Sequence, residues 1–170
     1  PIVLCKILEN KVSKLKINSI APNLSKLGVM LPNSPLLQLV VDKFQQPLIA
    51  TSANLSGSPI IYKDIIAKEQ LSGIADFIVS YDREIVAPQD DSVVQFTETQ
   101  QRIVLRRSRG LAPNYFPIPI KLPNEQCLAI GAELKSAFAI STKEQLFVSQ
   151  FLGDQASIES QESFEVALSH

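Results

Sequence analysis

Short apolar runs rich in Ile, Val and Leu recur along the chain and alternate with polar stretches. Such runs are typical of β-strands when they are about four to eight residues long and are bounded by turn residues. The pattern predicts strands at residues 1–8, 47–51, 75–80, 91–96 and 102–107, with the strand 47–51 buried. The polar segment 97–101 predicts a hairpin-like connection between the last two strands.

Two segments carry the signals of helices. Ser34 and Pro35 supply an N-cap and a proline at the first helical position, ahead of an apolar pattern that continues to Phe44. Residues 62–71 also predict a helix, with Asp64 near its start. Because strands alternate with helices, we expect an α/β fold built on a twisted sheet with mixed strand pairing.

The composition changes at residues 110–126, where four prolines in 17 residues predict a linker or an extended strap. Three short apolar runs separated by polar turns follow and predict a β-meander, at residues 127–132, 136–141 and 146–151. Residues 157–170 predict the start of a helix. The expected organisation is a first domain, a Pro-rich linker and the start of a second domain, at residues 1–112, 113–125 and 126–170.

Composition and charge are those of a globular protein. Apolar residues make up 45% of the chain, and the net charge of −1 gives no overall attraction for nucleic acid. Cys5 and Cys127 lie far apart and predict neither a disulfide framework nor a metal site. No apolar run reaches the roughly 18 residues of a membrane helix, and no signal peptide is present. We therefore expect a cytoplasmic protein without a membrane partner.

Both ends of the chain have the character of internal positions in a longer sequence. The chain opens on Pro1 without a methionine and closes inside a predicted helix. The only histidine, His170, is the last residue, which excludes a mechanism that needs a histidine base within the folded part. We expect an internal piece of a longer protein.

The apolar run that ends at Thr51 is followed by small and polar residues, SANLSGSP. Hydroxyl and amide groups are offered by Thr51, Ser52, Asn54 and Ser56. Gly57 allows a positive φ angle and the close approach of a ligand. Free backbone N–H groups in a turn of this kind can cradle an anion. The alternative is an ordinary turn in which Asn54 and Ser56 bond their own backbone.

Three arginines lie within four residues, at Arg106, Arg107 and Arg109. A guanidinium presents two parallel donors and so suits a polyphosphate. On a strand, Arg107 and Arg109 would point to one face and Arg106 to the other. The alternative is a solvated strand edge protected by charge. Together with the hydroxyl-rich loop, the arginines favour a site for an anion.

In their order along the chain, these segments resemble a known family. TSANLSGSP, YDREIVAPQDDSVVQF and VLRRSRGLAPNYFPIP are similar to the YrdC-like domain of HypF proteins, as is the earlier LGVMLPNSPLLQLV. LAIGAELKSAFAI and LFVSQFLGD resemble the first strands of the actin-like ATPase domain that follows in HypF. The resemblance covers essentially the whole chain. It implies a YrdC-like mixed sheet with helices, followed by the first β-meander of an actin-like or ribonuclease-H-like domain.

HypF proteins are carbamoyltransferases that serve the synthesis of the cyanide ligands of nickel–iron hydrogenases. The resemblance implies that carbamate, released from carbamoyl phosphate, is joined to ATP to give carbamoyl adenylate and pyrophosphate. It further implies transfer of the carbamoyl group to the C-terminal cysteine of an acceptor protein, HypE. ATP with Mg²⁺ is the implied cofactor, and zinc belongs only to segments that precede this chain in the family.

Residue roles are carried over by position. The resemblance implies a site for ATP and carbamate lined by the expected catalytic residues Thr51, Ser52 and Asn54. It implies nucleotide binding by Ser52, Asn54, Ser92, Arg106, Arg107 and Arg109. It implies phosphate binding in the second domain by Gly131 and Lys135. For Asp90 and Asp91 we expect a capping or surface role, and we expect no resident metal ligand.

The chain departs from the family pattern at Tyr81 and Phe151, where histidine is common. The family's basic Lys-x-Arg step would precede Pro1, so we expect the isolated chain to bind ATP weakly without turning it over. One alternative function is a threonylcarbamoyl-AMP synthase of the tRNA-modifying branch, which would need threonine. Another is a non-catalytic nucleotide- or RNA-binding module. RNA binding would weaken steeply with salt.

Overall fold

The computed structural model describes residues 1–8, 15–116, 121–122, 125–142 and 145–170. The chain divides into two compact units. The first unit comprises Pro1–Ala50 and Asp91–Gly110, and the second comprises Thr51–Asp90 and Leu111–His170. Each unit is therefore assembled from two separate stretches of sequence.

The first unit is built on a four-stranded mixed sheet. Its elements are β1 (Ile2–Lys6), α1 (Ile17–Ile20), β2 (Lys26–Val29), α2 (Pro35–Phe44), β3 (Val93–Phe96) and β4 (Arg102–Arg106). The strand order is β2-β1-β3-β4, with β1 parallel to β3 and the other neighbours antiparallel. Val94 on the central strand β3 is buried. The predicted mixed pairing is confirmed, and so is the β3–β4 hairpin.

The second unit contains a four-stranded antiparallel sheet. Its elements are α3 (Asp64–Leu71), β5 (Asn114–Phe116), β6 (Cys127–Ile130), β7 (Phe138–Ser141), β8 (Leu146–Val148) and α4 (Ile158–Ser169). The strand order is β5-β8-β7-β6, so the predicted meander of three strands is confirmed and is extended by β5. The ring of Phe138 is buried, with ring centroids 6.2 Å from Phe147 and 5.7 Å from Phe164. Phe164 thereby ties α4 to the meander.

Helices α2 and α4 both begin at a serine cap, of which the one at Ser34 was predicted. The Ser34 hydroxyl accepts a hydrogen bond from the Leu37 amide at 3.3 Å, and Pro35 follows at the first helical position of α2. In α4 the Ser157 hydroxyl accepts from the Ser160 amide at 3.2 Å. A capping hydroxyl satisfies one of the amides that have no partner in the first helical turn. These helix starts are therefore local consequences of the sequence.

Two predicted strands are wrong. Residues 47–51 and 75–80 form no strand, and both are exposed rather than buried. Ile49 is 74% exposed and Phe77 is 90% exposed. A strand needs a neighbour to accept and donate its backbone hydrogen bonds. Within the described ranges neither segment has a neighbouring strand. Their apolar side chains indicate a preference for burial, but that preference alone does not make a strand.

The Pro-rich segment is more ordered than a linker at its start. Asn114–Phe116 forms β5, which pairs antiparallel with β8 at the edge of the second sheet. Edge strands tolerate nearby prolines because one side of the strand donates no ladder hydrogen bonds. Residues 117–120 and 123–124 of the predicted linker lie outside the described residues. The domain boundaries at 112 and 126 stay a prediction.

Candidate functional site

The loop that begins at Thr51 is organised by the side chain of Asn54. The Asn54 amide nitrogen donates to the carbonyl oxygens of Leu55 and Ser58, each at 3.0 Å. Its oxygen accepts a hydrogen bond from the Ser52 hydroxyl. This pattern is the self-bonded turn that the sequence left open as an alternative for Asn54. The amide therefore holds the loop, whatever the loop binds.

The hydroxyl groups of this loop face solvent. Thr51, Ser52 and Ser56 are all exposed. Gly57 has a φ of +84°, and a Cβ at that position would meet no atom within 4 Å. Glycine is thus needed here for the positive φ and not because of crowding. The Thr51 and Ser56 hydroxyls can donate to an anion from this backbone, whereas the proton of Ser52 is already donated to Asn54.

The arginines begin at the last residue of β4 and lead into the turn at Gly110, and Arg109 forms an isolated β-bridge with Asp91. We call residues 106–109 the arginine turn. Because β4 ends at Arg106, the alternation of a strand does not extend to Arg109, so strand geometry no longer supports the predicted division of the arginines between two faces. The register shifts between Val93 and Val94, opposite the end of β4. A bulge of this kind bends the strand and redirects the residues that follow.

Asp91 contacts both ends of the arginine turn. The Arg106 Nε donates to the Asp91 carbonyl oxygen at 2.8 Å. The Arg109 guanidinium donates to the Asp91 carboxylate through Nη2 at 2.7 Å and through Nε at 3.2 Å. Asp91 thus has a structural role, and its carboxylate offsets the charge of Arg109.

Burial separates the three arginines. Arg106 and Arg107 are half-buried, whereas Arg109 is exposed. Burial lowers the pKa of the Arg107 guanidinium by removing water from around its charge. An arginine nevertheless stays protonated at any physiological pH. The turn therefore carries fixed positive charge, and the charge of Arg109 is offset by its ion pair with Asp91.

Ser92 lies next to Asp91 and is fully buried, with 0% of its surface exposed. Its hydroxyl accepts a hydrogen bond from the Ser108 amide at 2.8 Å and donates to the Arg109 carbonyl at 3.0 Å. Contact between this hydroxyl and a phosphate would require at least one of these bonds to break. Ser92 is thus a buried residue whose hydroxyl bonds to the backbone of the arginine turn.

The β6–β7 hairpin brings Gly131 and Lys135 into one short connection. A Cβ on Gly131 would lie 2.5 Å from the Ala137 carbonyl oxygen, which also accepts the Gly131 amide at 2.9 Å. The hairpin itself therefore requires glycine. Lys135 is exposed with a φ of +54°, and its amide donates to the Asp154 carboxylate at 2.7 Å. Phosphate binding by this pair stays a prediction.

A cavity of about 430 Å³ lies beside this hairpin in the second unit. Its lining consists of Ile130, Gly131, Ala132, Glu133, Ser136, Gln155, Gln161, Phe164 and Glu165. Two carboxylates in the wall disfavour a bare phosphate, and Lys135 is not part of the lining. The cavity therefore adds no support to phosphate binding by Lys135.

The described ranges contain no cluster of three or more His, Cys, Asp or Glu side chains arranged to hold a metal ion. Across the same ranges, no helix combines the length and the apolar character that crossing a membrane requires.

Comparison with known proteins decides the family. The Sua5/YciO/YrdC family model, described as telomere recombination, matches residues 1–108, and the HypF Kae1-like domain model matches residues 122–170. The chain belongs to the Sua5/YciO/YrdC family and, within it, to the HypF proteins. The expected resemblance is thereby confirmed, and so is the YrdC-like fold followed by an actin-like β-meander.

Relatives and solved structures of HypF agree with this assignment. Carbamoyltransferase HypF of Synechocystis sp. is 41% identical over 170 residues, which is 100% of this chain and 22% of that protein. The crystal structure of T. kodakarensis HypF matches with a TM-score of 0.88 and 34% identity, over 100% of this chain and 21% of that one. Full-length HypF in its phosphate- and nucleotide-bound form matches with a TM-score of 0.89 and 32% identity, over 99% and 26% of the two chains. The chain thus spans about a fifth to a quarter of these proteins.

Two supporting residues escaped the sequence analysis. For Asp91 a capping or surface role was expected, and Asp154 carried no prediction. Their partners lie 18 and 19 residues away along the chain. No local pattern signals such a pairing, because it arises only when separate strands and turns are brought together by the fold.

Proposed function

We propose that this chain forms the adenylating part of an ATP-dependent carbamoyltransferase of the HypF type. The observation that carries the proposal is the match of a YrdC-type model and a HypF Kae1-like model to consecutive parts of one chain. Its substrates are ATP and carbamate derived from carbamoyl phosphate. The setting that we propose for it is the cytoplasm, and nucleic acid is not among the proposed partners.

In the proposed reaction, a carbamate oxygen attacks the α-phosphorus of ATP. A bond forms between that oxygen and phosphorus, the bond to the bridging oxygen breaks, and pyrophosphate leaves. Carbamate is already an anionic nucleophile, so the step needs no side-chain base. The protein must instead hold two anions together and offset their repulsion, as in phosphoryl transfer generally.

The residue types suit this requirement. We assign Thr51, Ser52 and Asn54 to the contact with nucleotide and carbamate, with Asn54 also holding the loop through its hydrogen bonds to Leu55 and Ser58. Positive charge for the phosphates comes from the arginine turn. A guanidinium supplies two hydrogen-bond donors to one phosphate group, and this interaction becomes stronger where water is excluded. Arg106 is the arginine that we assign to the nucleotide first.

Mg²⁺ is part of the proposed cofactor but not a resident of the chain. The Asp91 carboxylate is engaged by Arg109, and the described residues provide no cluster of three acidic, histidine or cysteine ligands. The ion would therefore be held mainly by phosphate oxygens of ATP. Asp90, next to Asp91 in the sequence, is the carboxylate that could contact it. Bound in this way, Mg²⁺ supplies charge neutralisation to the phosphates.

The Kae1-like part of the chain, residues 122–170, belongs to the later part of the proposed function. The Kae1-like match supports a role in passing the carbamoyl group to an acceptor protein of the HypE type, for the assembly of nickel–iron hydrogenase. Gly131 and Lys135 are the proposed phosphate contacts of this step. Their hairpin is held by the Asp154 carboxylate.

ATP–pyrophosphate exchange in the natural full-length polypeptide tests the proposal. We expect exchange that depends on carbamoyl phosphate and does not respond to threonine with bicarbonate. Exchange that requires threonine would instead assign the chain to the threonylcarbamoyl-AMP synthases. Absence of exchange with either substrate, together with salt-sensitive RNA binding, would favour the non-catalytic alternative.

A further inference from the structure

The buried hydroxyl of Ser92 has little capacity left for a ligand. Its proton is donated to the Arg109 carbonyl, and one of its lone pairs accepts the Ser108 amide. A hydroxyl has one proton and two lone pairs, so one acceptor site remains on an atom without solvent exposure. Phosphate oxygens are acceptors and need a donor. Ser92 therefore cannot serve a phosphate while it keeps its present bonds.

The backbone around Ser92 also joins the arginine turn to the sheet. The Ser92 carbonyl accepts the amide of Ile2 at 2.7 Å, next to the parallel pairing of β1 with β3. On its other side, the hydroxyl fixes the backbone of Ser108 and Arg109. One residue thus connects the central strands with the segment that carries the three guanidiniums.

We infer that Ser92 is a positioning residue that sets the affinity for a nucleoside triphosphate through the arginine turn and not by contact. The identity of the ligand rests on the proposed function, whereas the supporting role of Ser92 rests on the hydrogen bonds alone. Without the hydroxyl, the amide of residue 108 and the carbonyl of residue 109 lose their partner. The turn then samples positions in which Arg106 no longer meets a phosphate.

Ser108 provides a matched control. It is the same residue type and is also 0% exposed, but its hydroxyl has no hydrogen-bond partner among the described residues. Ser108→Ala removes the same kind of atom, a buried serine hydroxyl, from the arginine turn itself without removing a hydrogen bond, and the backbone amide stays in place. Any difference between Ser92→Ala and Ser108→Ala therefore reports the two bonds of the Ser92 hydroxyl.

Hydrogen exchange of the natural full-length polypeptide tests the supporting role without any ligand. In Ser92→Ala, we expect amides in residues 106–110 to exchange about tenfold faster than in the unmodified protein, because a buried amide has lost its acceptor. In Ser108→Ala, we expect the exchange of these amides to change by less than about twofold. Equal exchange of this segment in the two variants would overturn the inference.

A double-mutant cycle on ATP affinity then separates positioning from contact. We expect Ser92→Ala to weaken ATP binding by about tenfold on its own and to have little further effect in the Arg106→Ala background, because the two residues act in series. Affinity for AMP, which lacks the β- and γ-phosphates, should change much less in Ser92→Ala. If the loss of ATP affinity in the double variant equals the product of the two single losses, Ser92 contacts the ligand directly and the inference is overturned. If the unmodified protein does not bind ATP, the proposed function fails, while the exchange comparison still decides the supporting role of Ser92.

Discussion

At the scale of single residues, the positions that look most suited to a ligand also have structural duties. Gly131 lies so close to Ala137 that its own hairpin excludes any side chain there. The side-chain amide of Asn54 was expected to contact a substrate, but it donates hydrogen bonds to the backbone of its own loop. Polar groups that must be precisely placed are commonly held by such bonds, since loose groups lose binding energy to conformational entropy. Matched variants are therefore needed to distinguish a residue that holds the backbone from one that contacts the ligand.

Gly131→Ala should destabilise the protein. The added Cβ would lie 2.5 Å from the Ala137 carbonyl oxygen, so the hairpin backbone must move. We expect a loss of about 1–3 kcal/mol in the free energy of unfolding, as for other overpacked sites. Gly73→Ala is the control, because a Cβ at Gly73 meets no atom within 4 Å. Denaturant unfolding of the natural full-length polypeptide measures both, and equal stability of the two variants would show that the hairpin is not crowded.

At the scale of elements, α4 shows how a helix start can control a charge. The Ser157 hydroxyl caps the helix, and Glu159 lies in its first turn. The pKa of the Glu159 carboxyl is lowered, first by a hydrogen bond from its own backbone amide and then by one from the Ser157 side chain. Both bonds favour the charged carboxylate, and a helix start favours negative charge for the same reason.

A lowered pKa gives Glu159 a defined contribution to pH dependence. The stabilisation is fully present above the ordinary pKa of a glutamate and is lost as the pH falls through the lowered value of the folded state. In Ser157→Ala, we expect the pKa of Glu159 to rise toward its ordinary value and the cap to cost about 1 kcal/mol. An NMR titration of the Glu159 carboxyl checks the shift. Ser169→Ala, at the other end of α4, should leave it unchanged; a Glu159 pKa indifferent to both changes contradicts the proposed cause.

Elements were predictable from sequence where a local signal decides them. Ser34 with Pro35 identified α2, and the apolar runs identified β1, β3, β4 and the meander β6–β8. Residues 47–51 and 75–80 failed because a strand also needs a neighbour, which their own sequence cannot supply. For the same reason, β5 was missed: its ladder partner β8 lies about thirty residues further along the chain. The local sequence pattern determines whether a segment prefers a strand, but a strand forms only where a neighbouring segment pairs with it.

At the scale of the whole molecule, the chain combines two family matches with many exposed apolar side chains. Among these, Phe77 and Leu31 are 90% and 83% exposed. The chain spans 22% of the length of its Synechocystis relative. Activity is therefore best measured in the natural full-length polypeptide.

The chemistry of the candidate site was more predictable than the duties of its residues. Hydroxyls after Thr51 and guanidiniums at Arg106, Arg107 and Arg109 indicated an anion from residue type alone. The engagement of Ser92 and the pairing of Asp91 with Arg109 were not predictable, because the predicted hairpin does not specify which side chains form hydrogen bonds across its open end. Residue type indicates which ligand a site can take, and tertiary hydrogen bonds decide which residues reach it.

The most direct test of the central claim is ATP–pyrophosphate exchange with carbamoyl phosphate in arginine variants of the natural full-length polypeptide. Arg102 is the matched control, since it is an exposed arginine at the opposite end of β4. We expect Arg106→Ala to lower exchange by about 100-fold or more, as for the loss of a donor to developing charge. Arg102→Ala should change it by less than about twofold. Equal exchange in the two variants would show that the arginine turn does not serve the nucleotide and would contradict the adenylation function assigned to it.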